Sequence, residues 1–170
     1  SQALPADAPK NLLAEVLAPE RMDELEREGE LNMGFPIAGL GRFRVSAMRQ
    51  RGSIAAVIRF IAVEVPPLHS LSVPAVLGDL IMEKRGLLLM VGATGAGKST
   101  TLASMIDHRN ELVSGHILTI EDPIEFLFKN KRSVVNQREI GTDTANLNVA
   151  LKNALRQAPD RLRVDDCTVL

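Results

Sequence analysis

The pattern of hydrophobic and polar residues differs between the two halves of the chain. In the first half, polar and apolar residues alternate along Arg42–Met48, which is the period of a half-buried strand. A strand predicted before this stretch is interrupted at Gly34. A third predicted strand, rich in β-branched residues, follows the stretch after a turn. We therefore expect part of a small α+β domain at residues 1–65. Its predicted elements are helices at 11–17 and 19–28 and strands at 31–37, 42–48 and 54–61.

The second half replaces alternation with short unbroken apolar runs, which are typical of strands buried on both faces of a parallel sheet. Residues between these runs carry apolar positions at helical spacing. The pair Pro66-Pro67 separates the two patterns and predicts a linker at 66–73. The predicted elements of the second half are strands at 86–91, 116–120 and 133–137 and helices at 74–85, 101–107 and 146–157.

Composition narrows the class of protein. The 170 residues carry a net charge of −1, contain neither Trp nor Tyr and include five Phe. A general attraction to nucleic acid and an aromatic platform for single strands are therefore not expected. Cys167 is the only cysteine, so an internal disulfide is excluded. We find no apolar run of about 20 residues, and direct insertion into a membrane is not expected.

The stretch Gly92–Thr100 matches the pattern G-x-x-x-x-G-K-[ST] of phosphate-binding loops. Glycines allow the backbone N–H groups to surround an anion, and the following helix adds its positive N-terminal end. Lys98 is placed to contact the β- and γ-phosphates, and Ser99 to ligate Mg²⁺. The predicted order of strand, loop and helix is the one that the motif requires. The residues predicted to bind ATP are Gly92, Ala93, Thr94, Gly95, Ala96, Gly97, Lys98, Ser99 and Thr100.

Phosphoryl transfer also needs carboxylates and positive charge near the reacting phosphate. Glu121, Asp122 and Glu125 follow a predicted parallel strand, and the carboxyl ends of such strands line the ligand crevice of α/β proteins. From spacing alone, an ordinary charged loop is an equal alternative. Several arginines crowd the first-half hairpin, and most are expected to form a solvated face, although one or two of them are candidates for contact with a γ-phosphate.

Four stretches resemble the type IV pilus retraction ATPases, the PilT/PilU group of the secretion ATPase superfamily, with details that lean toward PilU. They lie at residues 42–52, 92–107, 116–126 and 135–141, and the resemblance covers residues 10–160. It implies a partial PAS-like domain at 1–65 and the first part of a RecA-like P-loop domain at 74–160. Within the family motifs, Glu125 matches the proposed catalytic glutamate, Glu121 lies in the same acidic motif, and Arg44 and Arg59 match arginines that contact the γ-phosphate.

The resemblance also implies a working form and a location. The family functions as cytoplasmic rings, so a homohexamer or a mixed ring with a paralogue is expected. Such a ring docks on a platform protein of the inner membrane. ATP hydrolysis with Mg²⁺ then drives pilus retraction and twitching motility.

The end of the chain departs from the family pattern. The family continues with an apolar Walker B strand, whereas here Arg163 interrupts the corresponding residues, which argues against a doubly buried strand. Residues 161–170 are therefore predicted to be an atypical terminus, truncated or out of frame. This leaves three alternatives: a motor subunit present as a fragment, a nucleotide-binding accessory subunit that lacks Walker B, and an unrelated P-loop protein. The acidic motif weighs against the third.

Overall fold

The computed structural model describes residues 5, 7–37, 39–61 and 64–164. Their contacts divide the chain into two compact units, Ser1–Ile61 and Ala62–Leu170. Most of the predicted terminus at 161–170, with Cys167, lies outside the described residues. The predicted domain limits, with a linker at 66–73, remain predictions. The helices are α1 (Ala8–Val16), α2 (Pro19–Glu28), α3 (Val76–Leu80), α4 (Lys98–Leu112) and α5 (Leu147–Gln157), and the strands are β1 (Glu30–Ile37), β2 (Gly41–Gln50), β3 (Ser53–Ile61), β4 (Gly115–Glu121), β5 (Ser133–Glu139) and β6 (Arg161–Val164).

The first unit is an antiparallel sheet of order β1-β2-β3 covered by α1 and α2. The alternation in β2 places Val45 and Ala47 in the core, at 0% and 2% exposure, with Leu13 and Leu25 of the helices. The predicted helices and strands of this half are confirmed. The predicted break at Gly34 is wrong, because β1 runs through it; a Cβ there would lie 2.8 Å from Arg42 Nη2, so the side chain above the strand explains the glycine.

The second unit contains a parallel sheet of order β5-β4-β6. Side chains of β4 alternate between its two faces. Leu118 and Ile120 pack against α5, whereas Ile117 packs against Ile106 of α4. The apolar run at 116–120 thus forms a parallel strand, as predicted, and the short strand predicted at 133–137 lies parallel beside it. The helix predicted at 74–85 is shorter than expected, since α3 ends at Leu80.

The prediction of a buried strand at 86–91 is wrong for the described part of the chain. This segment belongs to no helix or strand and pairs with none of the described strands. Leu87, Leu89 and Val91 are 84%, 69% and 90% exposed. An apolar run becomes a buried strand only where neighbouring strands accept its backbone hydrogen bonds, and the three strands of this sheet leave it outside.

The argument that Arg163 excludes a strand is also wrong. Residues Arg161–Val164 form β6, which lies parallel to β4 with Arg163 beside Thr119. The Arg163 side chain is 3% exposed, and its Nη2 lies 3.7 Å from Glu121 Oε2. The buried guanidinium is tolerated because it faces a buried carboxylate. Among the helices of the described residues, none combines the length and apolar character that crossing a membrane would need.

Candidate nucleotide and catalytic site

The phosphate loop reverses the chain through two left-handed glycines. Gly95 and Gly97 have φ angles of +81° and +84°, which side chains with a Cβ rarely adopt. The Ala96 N–H donates to Ala93 O at 3.1 Å and closes the turn. Residues 92–97 are exposed, and α4 begins directly after them at Lys98. The loop therefore faces solvent immediately before the N-terminus of a helix.

Lys98 folds back across this loop. Its Nζ donates to Gly92 O at 2.8 Å and to Ala93 O at 3.0 Å. The ammonium is thereby held on the loop by the loop's own carbonyl groups rather than extended into solvent. A phosphate that entered the loop would meet a positive charge already in place.

The first turn of α4 offers further donors. Thr101 N–H donates to Gly97 O at 2.9 Å, and the N-cap, Gly97, supplies no side-chain cap. The N–H groups of the first helical residues, Lys98, Ser99 and Thr100, consequently have no acceptor within the helix. These donors, the ammonium and the helix dipole fit a polyphosphate.

The loop also contains the residue expected to bind a metal. Ser99 is half-buried in the first turn of α4. The described residues contain no group of three or more His, Cys, Asp or Glu side chains suited to a metal ion. The Ser99 hydroxyl offers an oxygen, the kind of ligand that Mg²⁺ binds.

Two arginines bind backbone carbonyl groups between α3 and the phosphate loop. Arg109 Nη1 and Arg161 Nε both donate to Ile81 O, each at 3.3 Å, and Arg161 Nη1 donates to Lys84 O at 3.5 Å. Burial, and next the positive charge of Arg109, lower the pKa of Arg161 from its ordinary value. The loop after α3 is thus bound to both α4 and β6.

The face of the sheet that contacts α4 becomes polar toward its carboxyl edge. The strand register aligns Thr119 with Gln137 and Arg163, and Glu121 with Glu139. These side chains continue the face on which Ile117 packs against Ile106 of α4. The acidic edge and the helix that follows the phosphate loop therefore share one face of the sheet.

Glu121 is the centre of this polar group. Its side chain has 0% exposure, and Oε1 accepts from Thr119 Oγ1 at 2.6 Å and from Gln137 Nε2 at 3.0 Å. The ion pair with Arg163 lies on its other oxygen. The Glu121 carboxylate thus faces protein groups, and its geometry favours a supporting role over contact with substrate.

Glu125 lies in the loop after β4 and is exposed, as is Asp122. Ile124, just before it, is 5% exposed, and its N–H donates to Glu139 Oε2 at 3.0 Å. Phe126 O, just after it, accepts from Gln137 Nε2 at 2.8 Å. The loop therefore presents Glu125 to solvent while β5 binds the backbone on both sides of this residue.

Gln137, Glu139 and Arg163 are functional candidates that the sequence analysis missed. Gln137 and Glu139 belong to the stretch 135–141, one of the four that resemble the family, but none of its residues was assigned a role. Their spacing, i and i+2 in a strand, was the available signal, since it puts both on one face. Their contacts with a loop up to 15 residues away were not readable from spacing.

Arg44 and Arg59 face each other across the β2–β3 pair in the first unit. Arg44 is half-buried and Arg59 is exposed. Like charges directly opposite one another destabilise a sheet, so the pair has a cost that an anionic partner would offset. The structure thus brings together the two arginines that were singled out by resemblance.

The chain is similar to known proteins of one family. A family model described as Type II/IV secretion system protein matches residues 20–166. The chain is 48% identical over 147 residues to the type IV pilus ATPase PilU of Pseudomonas aeruginosa, covering 86% of this chain and 38% of that protein. It is 40% identical over 155 residues to the type IV pilus retractation ATPase PilT of the same organism, covering 91% and 45%.

A solved structure gives the same result. The crystal structure of the pilus retraction motor PilT with bound ADP superposes with a TM-score of 0.92 at 44% identity, covering 98% of this chain and 48% of that one. The chain thus spans less than half the length of each of these three proteins.

Proposed function

This chain belongs to the type II/IV secretion system protein family, and from that premise we propose that it is part of an ATP-hydrolysing motor subunit that powers retraction of a type IV pilus. The phosphate loop carries the proposal. It places an ammonium, left-handed glycines and the free N–H groups of a helix N-terminus on one exposed turn. That set of donors suits the phosphates of a nucleotide.

In this proposal each site residue has a separate task. ATP, when bound with Mg²⁺, supplies the phosphoanhydride bond that is cleaved. Lys98 and the amides of residues 92–100 hold the phosphates, and Ser99 ligates the metal. Glu125, exposed at the carboxyl edge, orients water and accepts its proton, while Glu121 supports that loop from the interior. Arg44 and Arg59 supply positive charge to the phosphate being transferred.

The fold and assembly proposed follow the same family. The first unit is part of a PAS-like domain, and the second is the first part of a RecA-like domain. Rings of this subunit, as a homohexamer or mixed with a paralogue, work in the cytoplasm on an inner-membrane platform protein of the pilus. Relatives named as pilus ATPases and a twitching motility protein support this assignment.

One observation favours a second function, a nucleotide-binding accessory subunit without turnover. The segment that leads into the phosphate loop pairs with no described strand, with Leu87 and Val91 at 84% and 90% exposure. A loop whose approach lacks the support of a sheet can still bind phosphates through local donors. Precise placement for hydrolysis is more demanding than binding.

Replacing Glu125 tests the proposal against this alternative. Glu125→Gln keeps the size of the side chain and removes the base, so ATP hydrolysis should fall by roughly 10²-fold while ADP affinity is unchanged. Asp122→Asn, an exposed carboxylate of the same loop, is the matched control and should hydrolyse ATP at the wild-type rate. A wild-type chain that binds ADP but does not hydrolyse ATP would favour the accessory subunit, and failure to bind ADP would refute both.

A further inference from the structure

Strand β5 places two polar side chains against the loop that carries Glu125. Gln137 and Glu139 lie two residues apart in β5 and so project from the same face of the sheet. Gln137 is half-buried and Glu139 is 1% exposed. Polar groups in such positions are costly unless each finds a partner, so their partners show what they contribute.

Both the oxygen and the nitrogen of the Gln137 side-chain amide form hydrogen bonds with this loop. Its Oε1 accepts from Phe128 N–H at 2.9 Å, and its Nε2 donates to Phe126 O at 2.8 Å. The same Nε2 also donates to Glu121 Oε1 at 3.0 Å. One side chain thus connects the backbone after Glu125 to the buried carboxylate at the end of β4.

The Glu139 carboxylate binds the other side of the loop. Oε2 accepts from Ile124 N–H at 3.0 Å, and Oε1 accepts from Thr142 Oγ1 at 3.1 Å. A hydrogen bond to an ionised acceptor is about twice as strong as one between neutral groups. The residue before Glu125 is therefore bound by a buried charge, and the residue after it by an amide.

Glu125 itself lies between these two points and is exposed. Because β5 binds the backbone at Ile124 and Phe126, it sets the direction in which the side chain of Glu125 projects. We propose that Gln137 and Glu139 are positioning residues that fix Glu125 for water activation. This proposal rests on the proposed function, and it assigns a role to the stretch 135–141.

Gln137→Met gives the main test, because methionine is unbranched, similar in length and unable to make the three hydrogen bonds of the Gln137 amide. In the full chain, exchange of the Phe128 amide hydrogen, which loses its acceptor, should become about fivefold faster. The kcat for ATP should fall about tenfold, whereas KM and ADP affinity stay unchanged, because the phosphate loop is not altered. Asn136→Leu, a similar replacement on the opposite face of β5, should change none of these quantities.

A double-mutant cycle separates positioning from general support. Gln137→Met should lower the rate little further when Glu125 is already Gln, because the two residues would act on one step. Glu139→Gln retains an oxygen for Ile124 and an amide for Thr142, so it should keep most of the activity that Glu139→Ala loses. This rescue by the conservative variant is not expected if the negative charge alone matters.

The outcomes that overturn the proposal are specific. Unchanged exchange of the Phe128 amide hydrogen in Gln137→Met would show that Gln137 does not hold the loop. Faster exchange with a rate loss that adds fully to that of Glu125→Gln would show a purely structural role. If Glu125→Gln hydrolyses ATP at the wild-type rate, the proposed function fails, and with it the role of Glu125; the exchange measurement then decides separately whether β5 fixes the loop.

Discussion

The phosphate loop and the acidic loop after β4 are both short segments beside regular elements, yet they are held in different ways. The hydrogen bonds described for the phosphate loop are local, as from Lys98 to Gly92, six residues away, and the loop is exposed. The acidic loop is bound over longer separations, such as 15 residues between Ile124 and Glu139, by buried side chains. The first shape is encoded by its own residues, and the second by the surrounding sheet.

This difference suggests a division of labour. Local donors are sufficient to bind an anion, and they tolerate changes in the rest of the molecule. A group that must act on one water molecule needs a fixed direction, which a network of buried hydrogen bonds provides. Substitutions in the two regions should therefore have opposite profiles, with binding affected in one and stability or rate in the other.

The largest effect on nucleotide binding is expected from Lys98→Ala. A hydrogen bond to a charged group contributes about 1.5–3 kcal/mol, so the affinity for ADP should fall roughly 10- to 100-fold. Because its ammonium donates to carbonyl groups of its own exposed loop, the free energy of unfolding should change by less than about 0.5 kcal/mol. Calorimetric titration and urea unfolding measure the two quantities. Lys152→Ala, which replaces an exposed lysine on α5, is the control. A large loss of stability in Lys98→Ala would contradict the view that the phosphate loop is held only locally.

At the acidic edge, Arg163→Met should act almost entirely on stability. It leaves the fully buried Glu121 carboxylate without its ion-pair partner, and breaking such a pair costs about 3–5 kcal/mol. Urea unfolding of the purified variant measures this loss. Adding Glu121→Gln removes the unpaired charge and should recover part of it. A variant as stable as the wild type would mean that the pair does not hold this edge together.

These two regions also show what could be predicted from the sequence. The turn before α4 could be expected from the sequence, because its glycines at fixed spacing act within one turn, and phosphate binding there stays a prediction. The acidic loop was located, but the sequence of β5 does not tell which loop Gln137 contacts. Arg163 misled the prediction for the same reason, since its partner Glu121 lies on another strand. The strand at 86–91 failed because burial depends on neighbours, which an apolar run does not specify.

A smaller effect on stability is expected from substitutions of Asn146, at the start of the helix on the other face of the sheet. Asn146 caps α5, with its Oδ1 accepting from Val149 N–H at 3.0 Å. Asn146→Ala should lower the free energy of unfolding by about 1 kcal/mol and leave ADP affinity unchanged. Asn146→Ser retains a capping oxygen and should be close to wild type. Thermal unfolding of the pair measures the difference, and equal losses in both would argue against a capping role.

The smallest effect concerns the segment after the acidic loop. Lys131 Nζ bridges Asp107 at 2.8 Å and Glu111 at 2.6 Å on α4. The hydrogen bond from Lys131 is the main cause that lowers the pKa of Glu111 from its ordinary value of 4.5. The stabilisation is then present above that ordinary value and is lost as pH falls through the lowered one.

Lys131→Met should therefore cost about 0.2–1 kcal/mol at neutral pH, since the pair is partly exposed. The difference between variant and wild type should shrink as the pH is lowered below 4.5. Urea unfolding at several pH values checks this, with the salt dependence as a second readout. A difference that grows toward acid would reverse the assigned sign.

The central claim is that the phosphate loop and the acidic loop together make a working ATPase when chains assemble. Steady-state hydrolysis of Mg-ATP, measured as a function of protein concentration with Lys98→Ala as the blank, tests it most directly. We predict a rate per chain that rises with concentration and is absent from the blank. No turnover at any concentration, or a rate that Lys98→Ala does not reduce, would contradict the claim.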